Sequence, residues 1–439
     1  MAGRSSTTIP RVIRASALLG LLALAACGPR GPTGVALVGA TLIDGSGGPP
    51  RPDAVVVVRG GRIETVTSRA GFSLPRSTTR VDVSGKWIVP GLIDAHAHVA
   101  PWALPRYLAW GVTTVRDVHG TKDTILAMID GRPTTYPDAI GVDGAADARK
   151  AVDQLAVAGV DYIKVYTRID PPLLKAITDE AKTFGLRVTG HLGLTDAVTA
   201  ARLGLRGDEH MTGVPEAAVS DPSPFFSAHY RGFWTGWTAF ERSWAGLDSA
   251  ALGRVASDLA AHKVFVIPTL VLHETFSRLD DTTVTRQPGL KAVPPAVQAA
   301  WDVPGMIQRA GWTALDFAQF RKSRPKQDLF LRLFARAGGT IAAGTDASNQ
   351  LLIPGLSEHR EMELLVQAGF SPGDALLAAT RNGALLLGAD SLGRIAPGKV
   401  ADLVVLGADP LADIRNTRKV ERVMLRGQLL SPDSIRAAW

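Results

Sequence analysis

Cysteine is nearly missing from this chain of 439 residues, which carries only Cys27. One thiol cannot close a disulfide within the chain. Any metal bound beyond residue 27 must therefore rest on histidine, carboxylate or modified lysine rather than on thiolate. Runs of Lys or Arg, alone or interleaved with aromatics, are also absent, which removes the usual footprint of a nucleic-acid partner. The formal net charge of +7 includes Arg4, Arg11 and Arg14 in a first segment without acids, so residues 28–439 carry +7 minus those three, or +4. What is present is 46% apolar residues with 45 Gly and 28 Pro, enough for one large domain with appendages or two ordinary domains.

The longest early apolar stretch, residues 15–26, is too short for a comfortable membrane span and follows the three arginines. That layout is a secretory signal. Its end, Leu24-Ala25-Ala26-Cys27, looks like a bacterial lipobox, in which the chain is cut before the cysteine and the cysteine is acylated. The expectation is a signal over 1–27 and a Pro/Gly linker over 28–34. The mature protein is then held to the cell envelope by several acyl chains on Cys27, on the periplasmic or extracytoplasmic side. An ordinary cleaved signal is the competing reading.

From Val35 the pattern is short strands and tight turns: 35–42, 54–59, 62–67 and 81–83, with Gly60-Gly61 able to take the positive φ of a hairpin turn. These are too few to bury a core. Two further strands near the other end, 401–406 and 420–425, supply partners, so residues 35–90 and 389–430 are expected to build one small β-sandwich. Between them, residues 91–388 alternate strand and helix. Strands end at Ala95, near Asp117, near Val142, at Tyr166, at Gly190, near Glu209, near Leu270 and at Thr345. Helices fit 145–158, 171–184, 195–203, 247–262 and 327–337. Eight such units over roughly 300 residues predict an α/β (β/α)8 TIM barrel, and the lack of a glycine-rich phosphate loop after the first strand disfavours a doubly wound sheet.

Catalytic groups of a barrel gather at the carboxyl ends of its strands. The first strand ends in His96 and His98, which as i and i+2 share a face and can chelate one divalent ion. In residues 161–167, Ile163 and Val165 alternate with Tyr162, Lys164 and Tyr166, so packing the aliphatic pair on helices aims Lys164 inward. An unpaired ammonium there is expensive. Either a carboxylate neutralises it or a carbamate made with CO2 turns it into an anion able to bridge two metals. The fifth and sixth strands end in His191 and His210, and the eighth in Asp346. Each residue alone is more often structural than ligating, but all six fall at strand ends.

These residues, with 91–98 (Gly-Leu-Ile-Asp-Ala-His-Ala-His), 111–117 (Gly-Val-Thr-Thr-Val-Arg-Asp), Gly190-His191, Glu209-His210, 343–346 (Ala-Gly-Thr-Asp) and 393–403 (Gly-Arg-Ile-Ala-Pro-Gly-Lys-Val-Ala-Asp-Leu), resemble the amidohydrolase superfamily. The likeness is to its prolidase-like and imidazolonepropionase-like members and covers nearly all of residues 35–425. It implies that His96, His98 and Asp346 hold one metal and His191 and His210 a second, with carbamylated Lys164 between them. Two cations about 3.5–4 Å apart share a water and bring its pKa towards 7. Asp346 is the candidate to move its proton to the leaving nitrogen. Thiolate-free, histidine-rich ligation fits Zn2+ first. The implied reaction is hydrolysis of a C–N bond in a small amide, dipeptide-like or cyclic amide substrate. A lactone or phosphotriester hydrolase on the same metals, or a non-catalytic metal- or ligand-binding module, are the alternatives, and a homo-oligomer is left open.

Spacing adds two departures. Asp117 to Lys164 is 47 residues, short for two β/α units, so the second and third units are expected to be abbreviated, the strand at 138–142 to be weak, and a loop over the site there to be missing. Residues 225–244 hold 8 of the chain's 27 aromatics in 20 positions. That segment reads as an apolar lid or substrate wall, a helical hairpin packed on the rim, or a lipid contact. Tyr166, inward like Lys164 and nearer the mouth, is a candidate to touch substrate or the developing oxyanion. His119 and His273, after the second and seventh strands, are further candidates or ordinary surface residues.

Overall fold

A computed structural model describes residues 34–119 and 128–439. Cys27, the signal segment and all but the last residue of the linker therefore lie outside the described residues. Five strands open the described chain: β1 (Gly34–Leu42), β2 (Arg51–Arg59), β3 (Arg62–Ser68), β4 (Thr78–Asp82) and β5 (Trp87–Pro90). Nine follow: β6 (Leu92–Ala97), β7 (Val112–Asp117), β8 (Ile129–Gly131), β9 (Ile140–Val142), β10 (Tyr162–Val165), β11 (Arg187–Gly190), β12 (Gly207–Glu209), β13 (Phe265–Ile267) and β14 (Thr340–Ile341). Three close it: β15 (Leu403–Leu406), β16 (Val420–Leu425) and β17 (Gln428–Leu430).

The terminal strands form one hydrogen-bonded sheet in the order β17-β16-β15-β5-β1-β2-β3. The expected sandwich is thus a single branched sheet, because β1 offers its first half to β4 and its last two residues to β5. Gly60 and Gly61, at φ 57° and 77°, make the tight turn that pairs Arg59 with Arg62. Period-2 alternation splits β2 cleanly: Ala54, Val56 and Val58 face a core shared with Leu403, Val405 and Met424, whereas Val55 and Val57 pack with Ala36 and Val38 on the other side. Antiparallel pairing of β5 with β15 joins the two ends of the chain.

The middle strands are parallel and run β14-β13-β12-β11-β10-β8-β9, with β6 and β7 as a separate pair. Backbone bonds from Ala95 to Ala343 and from Thr345 to His96, and a bridge between Ala97 and Ala347, join β6 to the chain beyond β14. Three strand steps then separate β6 from β12, about 14 Å in a flat sheet. The rings of His96 and His210 are nevertheless 4.4 Å apart, so the wall curls on itself. Its two edges are β7 and β9; among the described residues no ladder joins them.

Several boundaries differ from expectation. The strand paired with β10 is β8, and the expected third strand, β9, pairs only with β8 on its far side. Leu270 begins a helix instead of ending a strand, and the ladder of β14 stops at Ile341. Helices α1 (Ala145–Val157), α2 (Pro171–Thr183), α3 (Ala197–Arg202), α4 (Ser223–Arg231), α5 (Phe233–Ser243), α6 (Ser249–Ala261), α7 (Leu270–Phe276), α8 (Val303–Ala310), α9 (Ala314–Arg336) and α10 (Leu356–Gln367) surround the wall. Asp170, Asp196 and Asp248 cap α2, α3 and α6 by accepting a backbone N–H with their side chains. The expected helix 327–337 is the last part of α9, which starts earlier because Thr313 and Asp316 form a capping box. No helix among the described residues is long and apolar enough to cross a membrane.

Candidate metal centre

His96 and His98 leave the end of β6 on one face, and Asp346 reaches them from the turn after Thr345. Ligand atoms of the three lie within 4.8 Å of one another. Asp346 Oδ1 is 3.0 Å from His96 Nε2 and 2.9 Å from His98 Nε2. Asp346, His210 and Thr269 all hold left-handed backbone, at φ 63°, 62° and 45°, a strain that the surrounding packing must maintain.

The other ring nitrogens fix the tautomers. His98 Nδ1 lies 2.7 Å from the His119 carbonyl, which can only accept, so the proton sits on Nδ1. His96 Nδ1 lies 2.6 Å from Glu209 Oε2. Burial alone would raise the Glu209 carboxyl, but Arg116, Lys164 and His96 hold it well below the ordinary range, so the carboxylate accepts. Arg116 is itself tied to Glu209 Oε1 at 2.7 Å, Thr189 Oγ1 at 3.0 Å and the Ala95 carbonyl at 2.5 Å. When neutral, both rings therefore turn an Nε2 lone pair towards Asp346. Burial would raise that carboxyl too, but the charge of a protonated His98 ring and hydrogen bonds donated by the His96 and His98 Nε2 groups keep it well below the usual value when no metal stands between them. Three acceptors pointing at one spot need a cation or a proton between them.

Lys164 is 8% exposed, and its Nζ has no hydrogen-bond partner. Burial pushes the amine down to about 8, against the nearby Glu209 carboxylate. His191 and His210 close the cluster with ring centroids 4.9 Å apart, both held well below the ordinary imidazole range by burial. The His210 Nδ1 is 2.7 Å from Thr269 Oγ1. An orphaned buried amine among nitrogen and oxygen donors fits a divalent metal centre, and the Glu209 and Thr269 contacts supply the outer partners such imidazoles require.

A cavity of about 290 Å³ opens over these groups. All six strand-end residues line it, and so does Tyr166, whose ring sits 4.8 Å from that of His191. Residues 225–244 form α4 and α5, a helical hairpin that is also the apolar wall, since Phe233, Trp234 and Trp237 line the cavity. Two of the expected readings thus hold together. The expectation of a missing loop is corrected: the turn after β8, held by Asp130 accepting from the Thr135 and Arg168 N–H groups, brings Tyr136 to the cavity beside Tyr166. His119 lines the cavity and pairs with Asp138 at 3.0 Å. His273 does not line it; buried, it contacts Glu241 and stacks on Trp237 at 5.6 Å.

The Amidohydrolase family pattern matches residues 87–430. This chain belongs to the amidohydrolase family. It is a metal-dependent hydrolase of the imidazolonepropionase- and prolidase-like branch. The imidazolonepropionase of Deinococcus deserti is 24% identical over 390 residues, covering 83% of this chain and 88% of that protein. A Bifidobacterium longum structure described as a prolidase superposes with a TM-score of 0.67 at 26% identity, covering 93% of this chain and 98% of that one. The D-aminoacylase of Alcaligenes xylosoxydans xylosoxydans is 33% identical over 166 residues, 34% of this amidohydrolase, which spans only 33% of that relative's length. The α/β amidohydrolase fold with a terminal β-sheet domain is common ground.

Sequence reasoning passed over several residues of the site. Glu209 sits beside His210 within a motif, but adjacent strand residues point to opposite faces, and nothing in the spacing says that Glu209 reaches His96. Asn349, whose Nδ2 donates to Asp346 Oδ2 at 2.6 Å, lies only three residues beyond that carboxylate. Its nearness was the available signal.

Proposed function

We propose that this amidohydrolase cleaves a C–N bond in a small amide, N-acyl amino acid, dipeptide or cyclic amide. His96, His98 and Asp346 would hold one divalent ion, Zn2+ first, and His191 and His210 a second, with carbamylated Lys164 between them. The observation that carries the reading is the convergence of two imidazole nitrogens and the Asp346 carboxylate beside a buried lysine amine without a partner. In this reading the curled wall is an eight-stranded barrel with β9 as a satellite of β8.

When bound, two such cations supply Lewis acidity and a water of lowered pKa. The chain's own groups do the rest. Asn349 fixes Asp346 Oδ2, which leaves the carboxylate oriented to take a proton from water in the cavity and hand it to the leaving nitrogen. Glu209 and Arg116 hold the His96 ring and its tautomer. Tyr166, beside His191 at the cavity wall, would donate to a developing oxyanion, and the hairpin of α4 and α5 excludes water from one side. At its amino end the chain would be tethered to the cell envelope through lipid on Cys27; Cys27→Ser should move the protein from the membrane fraction to the soluble one.

The test is metal content of the purified chain with turnover of N-acyl amino acids, dipeptides, cyclic amides, lactones and phosphotriesters. C–N substrates should be preferred, and Asp346→Asn should lower their turnover by about 10²–10⁴-fold. A preference for lactones or phosphotriesters would move the reaction to a different bond, and bound metal without any turnover would overturn the proposal.

A further inference from the structure

The cavity over the metal centre is chemically lopsided. Its inner end is built from buried imidazoles, Lys164 and Asp346, whereas one side is apolar, made by Phe233, Trp234, Trp237, Leu272, Phe276 and Met306. Arg309 is the only guanidinium among the described lining residues, and its side chain is 59% exposed, which puts it at the outer end. It stands one turn after Met306 on α8; i and i+3 share a helix face, so the residue that completes the apolar wall and the cation at the rim are presented together.

Arg309 is held only weakly where it is. Its Nη1 lies 2.9 Å from Asp302 Oδ2, and the Asp302 side chain is 61% exposed, so this pair stands in water and exchanges readily. Asp302 keeps its own role without the arginine, because its Oδ1 accepts the Gly305 N–H and caps α8. A guanidinium free to leave a solvated partner and facing an apolar slot is suited to a planar carboxylate. About 290 Å³ is room for roughly ten waters, enough to take a dipeptide or N-acyl amino acid.

We propose that Arg309 is the specificity-determining residue of this site. It binds the free α-carboxylate of an N-acyl amino acid or dipeptide whose aromatic or large aliphatic side chain lies against the Phe233–Trp237 wall, with the scissile amide inward. This rests on the C–N hydrolase reading above and narrows it to substrates that are anionic at the outer end.

The metal-loaded full chain is assayed with both enantiomers of N-acetylphenylalanine and N-acetylphenylalaninamide, following acetate release. Binding of an N-methylphosphonate of phenylalanine and of its carboxamide is measured by calorimetry. Wild type should favour the carboxylates, Arg309→Met should weaken carboxylate binding by about 10- to 100-fold while leaving the carboxamide unchanged, and Arg309→Lys should keep part of the preference. Equal affinity for the two probes in wild type, or a loss in Arg309→Met common to both, would overturn the assignment. Discrimination between the probes without acetate release supports Arg309 as the carboxylate contact while counting against hydrolysis, so the two readings fail separately.

Discussion

Glu209→Gln puts the tautomer argument to its sharpest test. In the native site the two Glu209 oxygens accept from different cations or rings, Oε1 from Arg116 at 2.7 Å and Oε2 from His96 Nδ1 at 2.6 Å. A glutamine has one oxygen for two donors. The charged guanidinium takes that oxygen, because charge-assisted bonds are the stronger, and the amide N–H₂ then faces His96 Nδ1. The ring must now accept at Nδ1, which moves its proton to Nε2 and removes the lone pair aimed at Asp346. Loss of such an outer partner typically weakens metal binding about 10- to 100-fold, or ~1.4–2.7 kcal/mol. The measurement is competition for Zn2+ against a chelator of known affinity at pH 7.5, on protein whose far-UV circular dichroism matches wild type. A folded Gln variant that holds Zn2+ within about twofold of wild type would refute the chain of reasoning from Glu209 to the His96 tautomer. Arg116→Met separates the same contacts differently: it strands a fully buried carboxylate, and should cost about 3–5 kcal/mol of stability in the chelator-treated protein by urea unfolding.

Three other outcomes can be checked directly. Trp237, part of the hairpin wall, is 2% exposed and stacks on His273 behind it, so Trp237→Ala should destabilise the protein by about 3–5 kcal/mol in urea unfolding. Gly393, at φ 71°, has no room for a side chain, since a Cβ there would lie 2.8 Å from the Thr380 carbonyl and the Ala384 Cβ; Gly393→Ala should lower the thermal midpoint and the yield of folded protein. His359, on α10, is buried with Nε2 2.9 Å from the Trp110 carbonyl, and burial pushes it down to about 3. Unfolded, it titrates near 6.5, so its contribution to stability is complete above that pH and is lost as the pH falls from about 6.5 to 3, at up to ~1.4 kcal/mol per pH unit. Stability measured across that window should fall less steeply in His359→Gln, and an unchanged slope would count against His359 as the titrating group.

The strand ends were legible because chemistry and period coincide there. Lys164 on an aliphatic strand, and histidines at i and i+2, carry their direction in the local alternation. Boundaries set by tertiary contact were not. β8 was missed because Ile129-Asp130-Gly131 has no alternation to read, and it exists because Ile129 finds Val165 across the ladder. The first half of α9 is cut off from its end by the polar run 321–328 with Pro325 inside it, and the helix is continuous because the Thr313–Asp316 cap and the inward packing of Phe317 and Phe320 fix its start. Residues 225–244 advertised apolar surface without saying which side faces the cavity. Tyr136 and Arg309 come from segments with no motif, so only the folded chain brings them to the site.

The pairing of β5 with β15 also bears on how the molecule is made. Lys86 Nζ and Glu421 Oε1 meet at 2.5 Å across 335 positions, so β1 and β5 keep an open edge until synthesis has reached β15 and β16. Strands β6 to β14 are made in that interval, and a backbone bond of 2.8 Å from the Gly91 N–H to the Asp402 carbonyl then fastens the late strands to the early ones. Completion of the terminal sheet therefore waits for the synthesis of everything between its two halves.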